Sequence, residues 1–207
     1  MQLDEWMHLK ALLRDRGVAG TDDLGTFVNN TRYFAPSAFD ERAAMPVLLE
    51  ALPDISDRRL VDAVAGHLAR PWARPAAFGA LHAAFLRWAP IDHSTGWTIG
   101  DALGTVATVE QLNDLLDICA EKRFGMARQM IVYSLRRYKE APGVAELLGD
   151  LVDDPDVGLH AMSALRSVVG NVESVPVLER VSAQHAGTPL GQAANRQLRE
   201  ARKALAR

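Results

Sequence analysis

Arg136, Arg166 and Arg199 each directly follow a leucine (Leu135, Leu165 and Leu198), at intervals of 30 and 33 residues. A guanidinium is permanently charged and presents a planar fork that matches carboxylate and phosphate oxygens. Regular spacing on stacked helices would align the three into a ladder for an anionic partner, with Arg128 and Arg137 in the same basic stretches. A second group is aromatic. Trp72, Trp88 and Trp97 lie close in sequence to Phe78 and Phe85 and to Arg70, Arg74 and Arg87. Such rings either fill space in an uneven part of a core or form a secondary contact patch, since Trp and Arg are favoured at interfaces.

Other reactive residue types offer less. None of the six histidines pairs with another His or Cys at helical ligand spacing, and only a convergence of His82, Asp92 and His93 would make a cluster. No metal site is expected. Cys119 is the single cysteine and lies in the apolar run Leu115-Leu116-Asp117-Ile118-Cys119, where it reads as a small core residue. With no second cysteine for a disulfide, the chain suits a reducing, cytoplasmic setting. No glycine-rich nucleotide fingerprint, phosphate loop, His-Glu-x-x-His helix or nucleophile elbow is present, so neither a cofactor nor a catalytic centre is expected. The N-terminus is acidic with no following apolar run, and no stretch is long and apolar enough for a membrane span.

The elements that would position the arginines emerge when the chain is aligned on itself. Five segments end on a leucine with a small or apolar residue four positions earlier: Val64 to Leu68, Ile99 to Leu103, Ile131 to Leu135, Ala161 to Leu165 and Ala194 to Leu198. The two residues share one helical face. Successive leucines are 35, 32, 30 and 33 residues apart. Ahead of each lies a second amphipathic segment: 46–52, 80–86, 112–116, 144–148 and 175–179. Ser56-Asp57, Asp153-Asp154-Pro155 and Thr188-Pro189 supply oxygen acceptors where second helices should begin. Pro142-Gly143 and Gly170-Asn171 should interrupt the chain between repeats.

In this pattern the chain resembles the HEAT family in its short-repeat form, over roughly residues 40–207. The clearest copy runs from Asp154 to Leu165, with Gly158 where the family usually carries an Arg and Arg128 at the equivalent place one repeat earlier. The resemblance implies an all-α, right-handed α-solenoid of about five two-helix repeats, with a concave surface lined by second helices. Residues 1–39 are expected to cap the array, 40–207 to form it, and the two to make one continuous domain. The cap includes an amphipathic helix over 2–16, burying Leu3, Trp6, Met7, Leu13 and the Lys10 stem, and a short helix from Thr21-Asp22-Asp23. The polar stretch from Arg196 closes the other end. Two irregular places are expected, a proline-bracketed linker from Arg70 to Pro75 and a loop from Ala89 to Trp97. Gly96, Gly100 and Gly104 are spaced for close helix packing.

Charge is segregated in the last three repeats. First helices carry Glu110, Asp114, Asp117, Glu121, Glu146, Asp150, Asp153, Glu173 and Glu179; second helices carry Arg123, Arg128, Arg136, Arg137, Lys139, Arg166, Arg196, Arg199, Arg202 and Lys203. Two readings stay open: salt bridging between neighbouring helices, or a basic groove. The formal net charge of −3 argues against a protein that coats nucleic acid over its whole surface. The leading expectation is a non-catalytic module that binds an acidic segment of a protein partner. The alternative is nucleic-acid binding or repair, because some HEAT-like proteins are alkylpurine DNA glycosylases; phycobilin lyases share the repeat class as well.

Overall fold

The computed structural model describes residues 3–20, Phe27 and 39–206. Among them it is all-helical, with ten α-helices and no strand. In chain order these are α1 (Leu3–Asp15), α2 (Glu41–Ala51), α3 (Arg58–Leu68), α4 (Phe78–Trp88), α5 (His93–Val106), α6 (Leu112–Ala120), α7 (Gln129–Ser134), α8 (Val144–Leu151), α9 (Gly158–Gln184) and α10 (Pro189–Leu205). Short 3₁₀ turns cover Pro71–Ala73, Val109–Gln111, Lys122–Arg128 and Leu135–Tyr138. The chain divides into two compact units, Met1–Thr108 and Val109–Arg207. That boundary falls within the span expected to be one array, and α1 sits against α2 in the first unit.

Helices start where side-chain oxygens meet free backbone N–H groups. Asp57 accepts from Leu60 N at 3.1 Å ahead of α3, and Thr188 accepts from Gly191 N at 3.2 Å ahead of α10. Asp154 accepts from Asp156 N and Val157 N and shapes the turn that leads into α9. Asp92 does the same for α5 through Ser94 N and Thr95 N. This last cap corrects the expected Ala89–Trp97 loop. The chain re-enters helix at His93, so Trp97 stands on α5 itself. Gly143 (φ 79°) precedes α8, and Gly170 (φ 85°) divides α9 into arms at 158–169 and 171–184.

All ten segments of the sequence pattern fall on helices, apart from Leu52 just past α2 and Leu135 in the 3₁₀ turn after α7; 161–165 and 175–179 lie on the two arms of α9. Every leucine that closes a pentad, and every residue four before it, is buried. These pairs form the stripes by which helices pack. In the first unit α2 packs on α3, and α5 packs on both α3 and α4. Gly96, Gly100 and Gly104 are buried along α5, where the missing Cβ lets neighbours approach. In the second unit α6 packs on α7 and α8, while α9 packs on α7, α8 and α10.

At the N-terminus α1 buries Trp6, Leu9 and Leu13 and ends at Gly17 (φ 71°). Met7 is exposed and Leu9 fills the place expected for it, because the buried stripe runs 6, 9, 13. The short helix expected from Thr21 lies outside the described residues. At the other end Ala201 is buried and 202–206 are exposed.

Candidate functional site

In the second unit, helical geometry turns the middle residue of each pentad away from the buried stripe and toward the surface. Tyr133, Ser163 and Arg196 each occupy the middle of a pentad; Met130, His160 and Ala193 each stand one position before it. α7, the first arm of α9 and α10 bring these equivalents together. Gln197 Nε2 donates to Ser163 Oγ at 2.9 Å, Arg166 Nη1 to Glu200 Oε2 at 2.8 Å, and Arg166 Nε to Asn171 Oδ1 at 3.0 Å. His160 meets Tyr133 edge-on, with ring centroids 6.3 Å apart, and the Arg136 guanidinium lies 3.8 Å from the Tyr133 ring centre.

Two adjoining cavities open on this surface. One, of about 510 Å³, is lined by polar groups that include Tyr133, Ser163, Arg166, Asn171, Arg196 and Glu200. The other, of about 390 Å³, adds Met130, Leu159, His160 and Ala193. Tyr133, Ser163, Arg196 and Gln197 line both, so the cavities form one groove. Burial lowers the pKa of His160, which favours a neutral ring, and its Nδ1 has no hydrogen-bond partner. Gln197 Oε1 is likewise unpartnered.

The expected site arginines separate into different roles. Arg136 and Arg137 are exposed, and Arg137 donates to the Tyr138 hydroxyl at 2.8 Å. Arg166 is only 22% exposed and is held by Glu200 and Asn171 inside the groove. Arg199 is exposed but does not line the groove; Arg196, three positions earlier, does. Arg196 is among the second-helix cations but not among the expected contact residues. The signal available was its place in the pentad, shared with Tyr133 and Ser163. Arg128 is corrected from a contact residue to a buried one. It is fully covered, donating to Asp154 Oδ2 at 2.9 Å, Cys119 O at 2.8 Å and Gly125 O at 3.0 Å. Burial alone would raise the Asp154 pKa, but the Arg128 guanidinium and backbone N–H groups hold it below the ordinary value.

Ion pairing between neighbouring helices accounts for part of the charge segregation. Arg202 pairs with Glu179 at 2.5 Å, and Asp153 takes Arg180 at 2.6 Å and His185 at 3.0 Å. Arg196 and Arg199, by contrast, meet no acceptor among the described residues, which leaves their charge to solvent or a ligand.

No family model, curated protein or solved structure matches the chain. The site must be read from its own geometry.

The tryptophans lie in the first unit and remain apart, with no ring contact joining them among the described residues. Arg42 covers the Trp72 ring at 4.7 Å and Arg87 the Trp88 ring at 5.2 Å, while Trp97 is exposed on α5. His82 stacks on Phe78, Asp92 pairs with Arg58 at 3.0 Å, and His93 meets Ala89 O, so these three side chains engage separate partners. The unit also holds a buried polar knot: Glu41 bonds both Arg70 and His67, and the other His67 nitrogen meets Phe27 O at 2.9 Å. Burial works against the Glu41 charge, yet His67 and Arg70 together bring its pKa down to about 2.

Cys119 is buried and desolvation pushes its thiol pKa strongly upward, which suppresses the nucleophilic thiolate. Among the described residues no cluster of three His, Cys, Asp or Glu side chains is suited to a metal ion, and no helix is long and apolar enough to cross a membrane. The groove supplies cations, hydroxyls, amides and an apolar flank.

Proposed function

We propose that this protein is a non-catalytic interaction module built from about five HEAT-like repeats, wound as a right-handed α-solenoid with an N-terminal helical cap. Its second-helix surface over 109–207, the concave side of such an array, grips an acidic segment of a protein partner. The repeat reading is supported by hydrogen bonds between positions about one period apart: Arg58 with Asp92, Ser163 with Gln197 and Arg166 with Glu200 are each separated by 34 residues, within one residue of the local period. A stack of repeats produces such contacts because each repeat touches its neighbours. A cytoplasmic setting accords with the lone buried cysteine.

The observation that carries the binding reading is the groove itself, where Arg166 and Arg196 face one cleft beside Arg136 on Tyr133. Cationic complementarity of this kind gives specificity and speeds encounter with an acidic surface.

The test is affinity capture with cross-linking to identify a partner, followed by binding at increasing salt. Binding should weaken with salt and in an Arg136→Glu, Arg196→Glu double variant. A partner held equally well by that variant removes this surface from the reading. Strong retention of duplex DNA at low salt, lost in the same variant, replaces the protein partner with nucleic acid.

A further inference from the structure

We propose that the groove takes an extended peptide carrying a carboxylate side chain beside an aliphatic one, and that Glu200 is a built-in competitor for that carboxylate. The inference rests on the interaction-module reading and names the chemistry of its ligand. The cavities differ in character while sharing a wall. The larger is polar and holds Arg166 and Arg196, and the smaller is flanked by Met130, Leu159 and Ala193. Leu159 is 43% exposed at its edge, which leaves apolar surface for a ligand to cover. An extended peptide advances about 3.3 Å per residue and points successive side chains to opposite sides. Positions i and i+2 thus share one side, about 6.6 Å apart, and can feed an acidic residue to one cavity and an aliphatic residue to the other.

The arginines specify the acid. Arg196 has no acceptor among the described residues, so a ligand carboxylate can take it without displacing anything. Arg166 already holds a carboxylate, that of Glu200, with its guanidinium fixed by Asn171. Glu200 is 57% exposed, so it can swing to solvent when an incoming carboxylate replaces it. The pair thus lowers the affinity of the empty groove for acidic chains and demands more than charge from a ligand. The aliphatic contact supplies the rest.

The experiment uses fluorescence anisotropy on the full chain with labelled synthetic peptides in which every second residue is Ser and the others alternate Glu with Leu, Glu with Ser, or Lys with Leu. The Glu-Leu peptide should bind about tenfold or more tightly than the other two, a difference well resolved by titration. Arg196→Glu should abolish that binding, and Glu200→Gln should tighten it, with both variants retaining the parent helical signal. Equal binding of Glu-Leu and Glu-Ser, or weaker binding in Glu200→Gln, overturns the proposal. So does tighter binding of a single-stranded oligonucleotide than of any peptide. If no peptide binds but a captured partner still depends on Arg136 and Arg196, this ligand chemistry fails and the module stands. If neither depends on them, the module reading fails as well.

Discussion

Arg128 and Arg166 illustrate how one residue type takes opposite roles within one compact unit. Arg128 is wholly buried and distributes its donors over a carboxylate and two carbonyls, whereas Arg166 lines an open groove. Replacing Arg128 with Met leaves Asp154 in a covered site without its counter-charge. Such a loss costs about 3–5 kcal/mol, and urea unfolding should show it. Arg199→Met should stay within about 0.5 kcal/mol, as exposed substitutions do. The expectation of a surface role for Arg128 came from its charge. Only the fold brings Asp154, Cys119 O and Gly125 O around it, and spacing alone does not disclose a ring of carbonyls. Glu41 carries a pH dependence. Its pKa falls from 4.5 to about 2 on folding, so its contribution is complete above pH 4.5 and is lost as pH falls toward 2. Thermal unfolding followed across that window should show a steeper loss for the parent than for Glu41→Gln, which has no carboxyl to titrate.

For the helices, what was legible depended on whether the signal was local. The amphipathic pentads, the Asp57 and Thr188 caps and the breaks at Gly143 and Gly170 are set by neighbouring residues, and each is found where the sequence places it. The start of α5 was misread because Pro90 and Gly96 suggest irregular chain, while Asp92 supplies the cap that ends the loop early. Asp92→Ala should therefore cost about 1–2 kcal/mol in stability, measurable by chemical denaturation. Gly158 was noted only for departing from the family pattern. Its reason is steric: a Cβ there would stand 2.6 Å from Val152 O, in backbone that cannot step aside. Gly158→Ala should lower stability by about 1–3 kcal/mol, while Gly149→Ala, with open space at its Cβ, should not destabilise. Thermal melts of the two variants side by side would check this.

Over the whole chain, the all-helical class follows from composition and period, and the helices stand where ten segments were read. The division at Thr108 and Val109 was not legible, because no change in composition marks it. It bears on cooperativity. Compact units of one chain can lose stability separately. Arg128→Met should reduce amide-exchange protection over 109–207 more than over 3–108, and hydrogen-exchange mass spectrometry would detect it. Equal loss in both units would show that they unfold together. The groove was legible only to the extent that the basic helices were identified. Its actual lining depends on which face each helix turns outward, and that is fixed by the buried pairs.

The middle position of each pentad has a consequence for how such a protein can change. Val64 to Leu68 and its four counterparts hold the scaffold through their end residues, and 133, 163 and 196 face away from it. Substitution at those sites costs the scaffold little beyond the contacts they make across the groove, such as Ser163 with Gln197, so they act as a short alphabet that selection or an engineer can rewrite. New specificity would then arise by exchanging a Tyr, a Ser or an Arg, with the frame that displays them left untouched.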